Sequence, residues 1–319
     1  MSTDQDRTLR ALFSARDDDW EEWRSALSAA FAARGLKVDL SRSFADPAEV
    51  DAIIYAPTGP VKDFTPYVNV GLVQSLWAGV ERIVGDRTLT QPLARMVDPG
   101  LRQSMVEWCL GWVLRFHLGM DNYRQDGVWR HRVVPPLASD RHVVIAGMGE
   151  LGGAVAGMLA SVGFRVTGWS ASGRGGGGSV DGVEMLAGDA LPLALSRADF
   201  LITLLPDTPG TRGLLNESTL AMLPKGAVIL NPGRGPLISD DALLAALDSG
   251  HVRHAVLDVF RTEPLPPEHP FWHHPAVTVT PHIAAETKPS TASTVVAENL
   301  VRLRDGQPFL HLVDRDRGY

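Results

Sequence analysis

The chain has 319 residues and a single cysteine, Cys109. No disulfide can close within it and no cysteine cluster can hold a metal. The thiol sits in Trp108-Cys109-Leu110-Gly111-Trp112, an apolar helical stretch, and reads as a core residue rather than a nucleophile. No apolar run approaches the roughly 20 residues that cross a bilayer. Lys and Arg number 30 against 37 Asp and Glu, and the net charge of -7 offers no general attraction to nucleic acid or an anionic membrane surface. The opening Met1-Ser2-Thr3-Asp4-Gln5-Asp6 is polar and acidic, unlike a signal peptide. These absences fit a reducing cytoplasm. His269, His273 and His274 share a short loop, and the four-residue step matches metal spacing. Pro270 interrupts any helix there and partner cysteines are lacking, so no metal site is expected.

What is present is 45% apolar residues over a length that suggests two domains. Strands and helices alternate almost throughout, which predicts α/β architecture with parallel sheets. Leu9-Phe13 reads as a strand, and Asp17, Asp18 and Asp19 open a helix to about Arg34, stopped by Gly35. Trp20, Trp23 and Phe31 follow helical spacing as core positions. Further strands are expected at 38–40, 51–55 and 68–74. A long apolar helix from Leu101 to Tyr123 carries more apolar surface than one exposed face accounts for. It reads as a core helix or as one shared between domains or subunits. From Arg141 to Thr280 six strands are expected, at 142–146, 165–169, 200–204, 227–231, 254–258 and 276–280. A last helix runs from Ser290 to about Arg304. Gly173-Arg174-Gly175-Gly176-Gly177-Gly178-Ser179 is of low complexity and should be flexible.

The most informative stretch is Gly147-Met148-Gly149-Glu150-Leu151-Gly152. The apolar run His142-Ala146 precedes it and a small-residue helix follows. Strand, glycine turn and helix in that order form the dinucleotide fingerprint. The first glycine permits the bend, the second lets backbone approach a pyrophosphate, and the third lets the helix pack on the strand. The second strand of this unit ends at Ser170, twenty-one positions past Gly149, and no carboxylate follows until Asp181. An acid there would bind a ribose 2′-hydroxyl and repel a 2′-phosphate, whereas Ser170 and Arg174 suit the phosphate. NADP(H) is therefore favoured, with NAD(H) as the alternative. A methyl transferase with a similar glycine turn is disfavoured, since no acid ends the second strand.

Three later strand ends carry polar groups: Asn231-Pro232-Gly233-Arg234-Gly235, Asp258-Val259-Phe260-Arg261-Thr262-Glu263-Pro264, and Thr280-Pro281-His282-Ile283-Ala284-Ala285. Together with Trp77-Ala78-Gly79-Val80, Trp169-Ser170 and Leu204-Leu205-Pro206-Asp207-Thr208, these segments resemble the D-isomer-specific 2-hydroxyacid dehydrogenases over about Leu72 to Arg304. The nearest likeness is to the glyoxylate/hydroxypyruvate reductase A branch.

The resemblance implies a Rossmann dinucleotide-binding domain over 102–286 and a flavodoxin-like substrate domain over 1–101 and 287–319, both doubly wound. It implies Arg234, Glu263 and His282 as the catalytic set. It also implies cofactor contacts from Gly147, Gly149, Glu150, Leu151, Gly152, Ser170, Arg174, Leu205, Pro206, Thr211, Asn231 and Asp258, the last near the nicotinamide amide. Trp77, Ala78 and Gly79 join Arg234 and His282 around the substrate, with backbone N–H groups of Ala78-Gly79 on its carboxylate. Trp272 is expected over the mouth of the site. The chemistry agrees: an imidazolium can supply a proton near neutral pH, a carboxylate can fix its tautomer, and a guanidinium can hold a carboxylate.

The expected activity is NADPH-dependent reduction of glyoxylate and hydroxypyruvate, in a homodimer. The alternatives are a bulkier 2-keto acid or a dinucleotide sensor with negligible turnover. The chain departs from the family at Pro232 and Gly233, which should loosen the turn before Arg234. It departs again after Ser170, where glycines replace basic residues.

Overall fold

A computed structural model describes residues 7–123, 127–129, 134–171, 173 and 180–315. The chain divides into two compact units, Met1–Leu101 with Thr287–Tyr319, and Arg102–Glu286. In the first, β1 (Leu9–Ser14), α1 (Trp20–Ala33), β2 (Val38–Ser41), β3 (Ala52–Tyr55), β4 (Leu72–Ser75) and β5 (Leu93–Ala94) follow in turn. The five strands lie parallel in the order β2-β1-β3-β4-β5. Strand side chains alternate between faces. Leu9, Ala11 and Phe13 therefore join Trp23, Leu27 and Phe31 of α1 on one face, while Leu12, Ile53, Tyr55 and Val73 meet Val61, Phe64 and Leu89 on the other. Both faces are covered, which is why these strands are apolar runs rather than alternating ones.

In the second unit, α2 (Pro99–His117), which starts just before the boundary, leads to β6 (His142–Ala146), α3 (Glu150–Val162), β7 (Arg165–Ser170) and β8 (Val183–Ala187). Then come α4 (Leu191–Leu195), β9 (Phe200–Thr203), α5 (Glu217–Leu220), β10 (Ala227–Asn231), α6 (Asp240–Asp248), β11 (Val252–Leu257) and β12 (Val277–Val279). All seven strands are parallel, in the order β12-β11-β10-β9-β6-β7-β8. The order reverses between β6 and β9, the crevice where open α/β sheets bind ligands. Val144, Leu201, Ile229 and Ala255 face the α6 side, and Val143, Ile145, Ile202 and Val256 face α2 and α3. Cys109 is fully buried on α2 among Met105, Val113 and Phe116, and burial holds its thiol pKa far above the ordinary value. This is the core placement expected of it.

The chain returns to the first unit as α7 (Pro289–Arg304), which buries Ala292, Val296, Ala297 and Leu300 in the cluster that holds α1. There Asn299 is fully buried: its Nδ2 donates to Gln74 Oε1 at 2.6 Å, and its Oδ1 accepts from Leu310 N at 2.8 Å.

Four expectations are corrected. The strand expected from Val68 starts only at Leu72, because Val68 is 72% exposed and a turn bonds Val70 N to Tyr67 O. The helix expected to reach Tyr123 ends at His117, where Gly119 turns left-handed at φ 61°. A seventh strand, β8, joins the edge of the sheet beside β7. Its alternating, half-buried Val183-Glu184-Met185 carries a weaker apolar signal than the central strands. The first turn of the Asp17 helix is 3-10, and the α-helix begins at Trp20.

Replacing Asn299 by Leu leaves the buried Gln74 oxygen without its donor. We expect a loss of about 1–3 kcal/mol, read as a lower midpoint of chemical unfolding. An unchanged midpoint would contradict the role given to this pair.

Candidate active site

The glycine turn lies at the sheet's reversal point. Gly147 has φ 110°, and a side chain on it would come within 2.5 Å of the Leu204 carbonyl, so the loops after β6 and β9 touch through backbone. Leu204 N also bonds to Ala146 O at 2.7 Å. At Gly152 a Cβ would sit 1.8 Å from the Gly147 carbonyl oxygen, which reserves this position in the first turn of α3 for glycine. At Gly149 the same test meets nothing within 4 Å, and the residue is exposed. Glu150 and Leu151, half-buried, occupy the first turn of α3 with Gly152. The first amides of a helix lack partners within it and are suited to an anion. A pyrophosphate therefore finds both open room and donors here. Ser170 closes β7, nearly buried, and Trp169 beside it is pinned by its indole N–H to Gly188 O at 3.0 Å. The strand itself ends on a hydroxyl rather than a carboxylate, which suits a 2′-phosphate. Arg174 and the remainder of its glycine run lie outside the described residues.

After β9, Leu205 is buried and Thr211 ties its own loop, donating to Pro206 O at 2.6 Å and accepting from Thr208 N at 2.9 Å. At the end of β10, Asn231 is buried: its Oδ1 accepts from Thr203 Oγ1 at 2.7 Å and Gly233 N at 3.2 Å, and its Nδ2 donates to Arg234 O at 3.0 Å. The turn is not loosened by Gly233, contrary to expectation. A side chain at that position would approach the Thr203 carbonyl oxygen to 2.6 Å, so glycine allows a close contact that fixes the turn. Arg234 emerges half-buried, with Nη1 on Gly233 O at 2.7 Å.

Asp258 follows β11 and is 1% exposed. Its Oδ1 accepts from Thr280 Oγ1 at 2.6 Å and Ile283 N at 2.9 Å, and its Oδ2 accepts from Ala284 N at 2.9 Å. Its carbonyl accepts from His282 N at 2.9 Å. The turn after β12 is thereby wrapped around one carboxylate, and His282 is held at φ 56°, a left-handed conformation that residues other than glycine seldom adopt. Glu263 completes the pair. Its Oε2 lies 2.9 Å from His282 Nδ1, and its Oε1 accepts from Phe260 N at 3.0 Å. The hydrogen bond to Glu263 raises the His282 pKa above 6.5. Partial burial opposes this, the charges of Glu263 and Asp258 add to it, and the nearby Arg234 charge works against it. With Nδ1 committed to Glu263, Nε2 is the nitrogen left to face a ligand.

Arg234, Glu263, His282 and Asp258 thus gather at the carboxyl ends of β10, β11 and β12. Trp77, Ala78 and Gly79 belong to the other unit, where they follow β4. Trp77 N bonds to Ser75 Oγ at 3.0 Å, and Arg82 lies over the indole at 6.0 Å. Trp272 is 45% exposed, its indole N–H on Pro266 O at 3.0 Å. His274 faces Asp248 at 3.2 Å, and His269 Nδ1 accepts from Phe271 N at 3.3 Å. Sequence reasoning gave no role to Thr203, and quoted Gly235 and Thr280 only as members of their segments. Each acts through a partner more than 20 residues away, and no local pattern marks such pairings.

These features define a doubly wound, dinucleotide-dependent oxidoreductase with an acid-supported histidine. A model of the D-isomer specific 2-hydroxyacid dehydrogenase NAD-binding domain matches residues 108–284. Glyoxylate/hydroxypyruvate reductase A of Yersinia enterocolitica is 37% identical over 314 residues, covering 94% of this chain and 96% of the relative. The same-named protein of Serratia proteamaculans is 41% identical over 259 residues, covering 77% and 81%. A D-isomer specific 2-hydroxyacid dehydrogenase from Xanthobacter autotrophicus, solved with NADPH and MES, superposes with TM-score 0.89 at 38% identity over 98% of this chain and all of that one. The NADPH-dependent glyoxylate/hydroxypyruvate reductase of Sinorhizobium meliloti, solved with NADP and sulfate, gives 0.83 at 33%, covering 98% and 99%. The chain belongs to the D-isomer specific 2-hydroxyacid dehydrogenase family.

Asp258→Asn keeps the side chain's shape but turns one acceptor into a donor facing N–H or O–H groups. We expect about 1–3 kcal/mol of lost stability in denaturant unfolding, with a moved His282 Cε1–H resonance. A variant that matches the parent in both would remove Asp258 as the anchor of the turn.

Proposed function

We propose that the chain reduces small 2-keto acids with NADPH, taking glyoxylate to glycolate and hydroxypyruvate to D-glycerate. The Glu263–His282 contact at 2.9 Å, beside Arg234, carries this reading. The glycine turn with the start of α3 would hold the pyrophosphate, and the Ser170 strand end the 2′-phosphate. A bound reduced nicotinamide supplies the hydride that adds to C2. His282 donates its Nε2 proton to the carbonyl oxygen, so that C=O becomes CH–OH. Glu263 keeps the imidazolium formed until that moment and fixes the tautomer left behind. Arg234 offers two parallel N–H donors to the substrate carboxylate and stabilises charge growing on the carbonyl oxygen. On this reading Leu205, Pro206, Thr211, Asn231 and Asp258 complete the cofactor's surroundings.

We read the two units as a substrate domain, 1–101 with 287–319, and a dinucleotide domain, 102–286. We further propose a homodimer. The segment after α2 exposes Met120, Tyr123, Val128, Trp129, Val134 and Leu137, with Trp129 at 88%, more apolar surface than a solvated loop accounts for. Light scattering of the purified chain should give twice the monomer mass. The unpaired Cys109 fits a reducing compartment, and we place the protein in the cytoplasm.

A panel of 2-keto acids against NADPH and NADH tests the assignment. Glyoxylate and hydroxypyruvate with NADPH should give the highest kcat/KM. A preference for bulky keto acids would reassign the substrate, and no turnover with any would leave a dinucleotide-binding sensor. His282→Ala should lower kcat on the order of a hundredfold or more. Because the His282 pKa is raised, the proton donor is charged below that pKa. Reduction should therefore persist to higher pH than an ordinary imidazole allows and fall as pH climbs through the raised pKa, and in Glu263→Gln the fall should come at lower pH. A pH profile unaffected by Glu263→Gln would defeat the mechanism.

A further inference from the structure

We propose that Arg261 is a positioning residue, tying the loop that carries Glu263 to the loop that carries Arg234 and so holding the carboxylate against His282. This rests on the catalytic reading above. Arg261 stands two residues before Glu263. Its Nη2 donates to Ile238 O at 2.6 Å, and its Nε lies 3.6 Å from Asp240 Oδ1. Ile238 ends a 3-10 turn, Gly235–Leu237, that starts directly after Arg234, and Leu237 N bonds back to Arg234 O at 3.3 Å. A short, hydrogen-bonded path therefore leads from the Arg261 guanidinium to the backbone of Arg234.

The two loops also meet without side chains. A Cβ on Gly235 would stand 2.0 Å from the Phe260 carbonyl carbon. Phe260 N in turn holds Glu263 Oε1 at 3.0 Å. Beneath this junction lies a cavity of about 180 Å³, lined among others by Leu243, Phe260, Arg261 and His269. Phe260 and Leu265 pack on the core cluster beside this cavity, and the polar ties of Arg261 add to that support. The charged and titratable groups that face Arg261 are Asp240 and His269, the latter 3.7 Å from Asp240 Oδ2. Those that act on His282 are Glu263, Asp258 and Arg234. The path from Arg261 to the imidazole runs through the loop that carries Glu263.

The experiment follows the His282 ring by NMR titration in the ligand-free chain, assigned with His282→Ala, alongside pH profiles of kcat/KM. Glu263→Gln should lower the His282 pKa most. Arg261→Gln should lower it part of the way, with kcat/KM at alkaline pH reduced about threefold, the loss of imidazolium that a drop of about half a pH unit gives. The double variant should titrate like Glu263→Gln alone, and Arg261→Lys should recover part of the shift. An Arg261→Gln variant that loses thermal stability but keeps the parent His282 titration overturns the proposal. So does an equal extra shift in the Glu263→Gln background. If Glu263→Gln itself leaves His282 unmoved, the catalytic pair fails, and this inference falls with it for that separate reason.

Discussion

The carboxylate of Asp258 is taken almost wholly out of water, and an ion in that position is tolerated only where donors replace its lost hydration. Here one short turn donates to it from the Thr280 hydroxyl and the amides of Ile283 and Ala284. The same turn is bound again from beneath by the Asp258 carbonyl through His282 N. Satisfying the buried charge and shaping the turn are therefore one event. His282 adopts its left-handed backbone because its neighbours on both sides are pulled inward to the acid. Remove that attraction and the imidazole has no reason to stand opposite Glu263.

Around this anchor the site is assembled by close backbone approach. Gly147 and Gly152 bring α3, the turn after β6 and the loop after β9 together. Gly233 lets the Arg234 turn lie against Thr203, and Gly235 lets it lie against Phe260. In each place a methyl group would overlap a carbonyl. The sheet supplies the rest. Since all seven strands run in one direction, their carboxyl ends share an edge, and groups separated by dozens of residues arrive there together.

That arrangement explains what could be read from the sequence. The central strands β6, β9 and β10 are continuous apolar runs, and the glycine turn is contiguous, so both were legible from local pattern. Ser170 was legible as the polar end of its strand and Arg234, Glu263 and His282 as polar residues in the loops after theirs, and the family likeness gave them roles. The edge strand β8 was not. It is covered on fewer sides, keeps Glu184 for Thr167 and Arg197, and so loses the apolar run that marks its neighbours. The tightness of the Pro232-Gly233 turn was also hidden. Glycine loosens an isolated chain, but here it admits a contact with a strand 28 residues earlier, through Thr203 and Asn231. Local reasoning weighs the freedom of the unfolded segment, whereas the folded segment is governed by its neighbour.

The charges around His282 are balanced rather than one-sided. Glu263 and Asp258 favour the imidazolium, while Arg234 and partial burial oppose it. A histidine paired only with acids would keep its proton too firmly to give it up, and one beside only an arginine would not be charged at neutral pH. The two influences reach the ring from different strand ends, the acids from β11 and the guanidinium from β10. The separation also has a chemical use. On the proposed mechanism Arg234 neutralises the substrate carboxylate, and once it does so its opposition to the imidazolium weakens. Substrate binding would then strengthen protonation of His282 at the stage when a proton is needed. The effect requires only that the three side chains stay near one another, which the shared sheet edge and the Asp258 turn ensure.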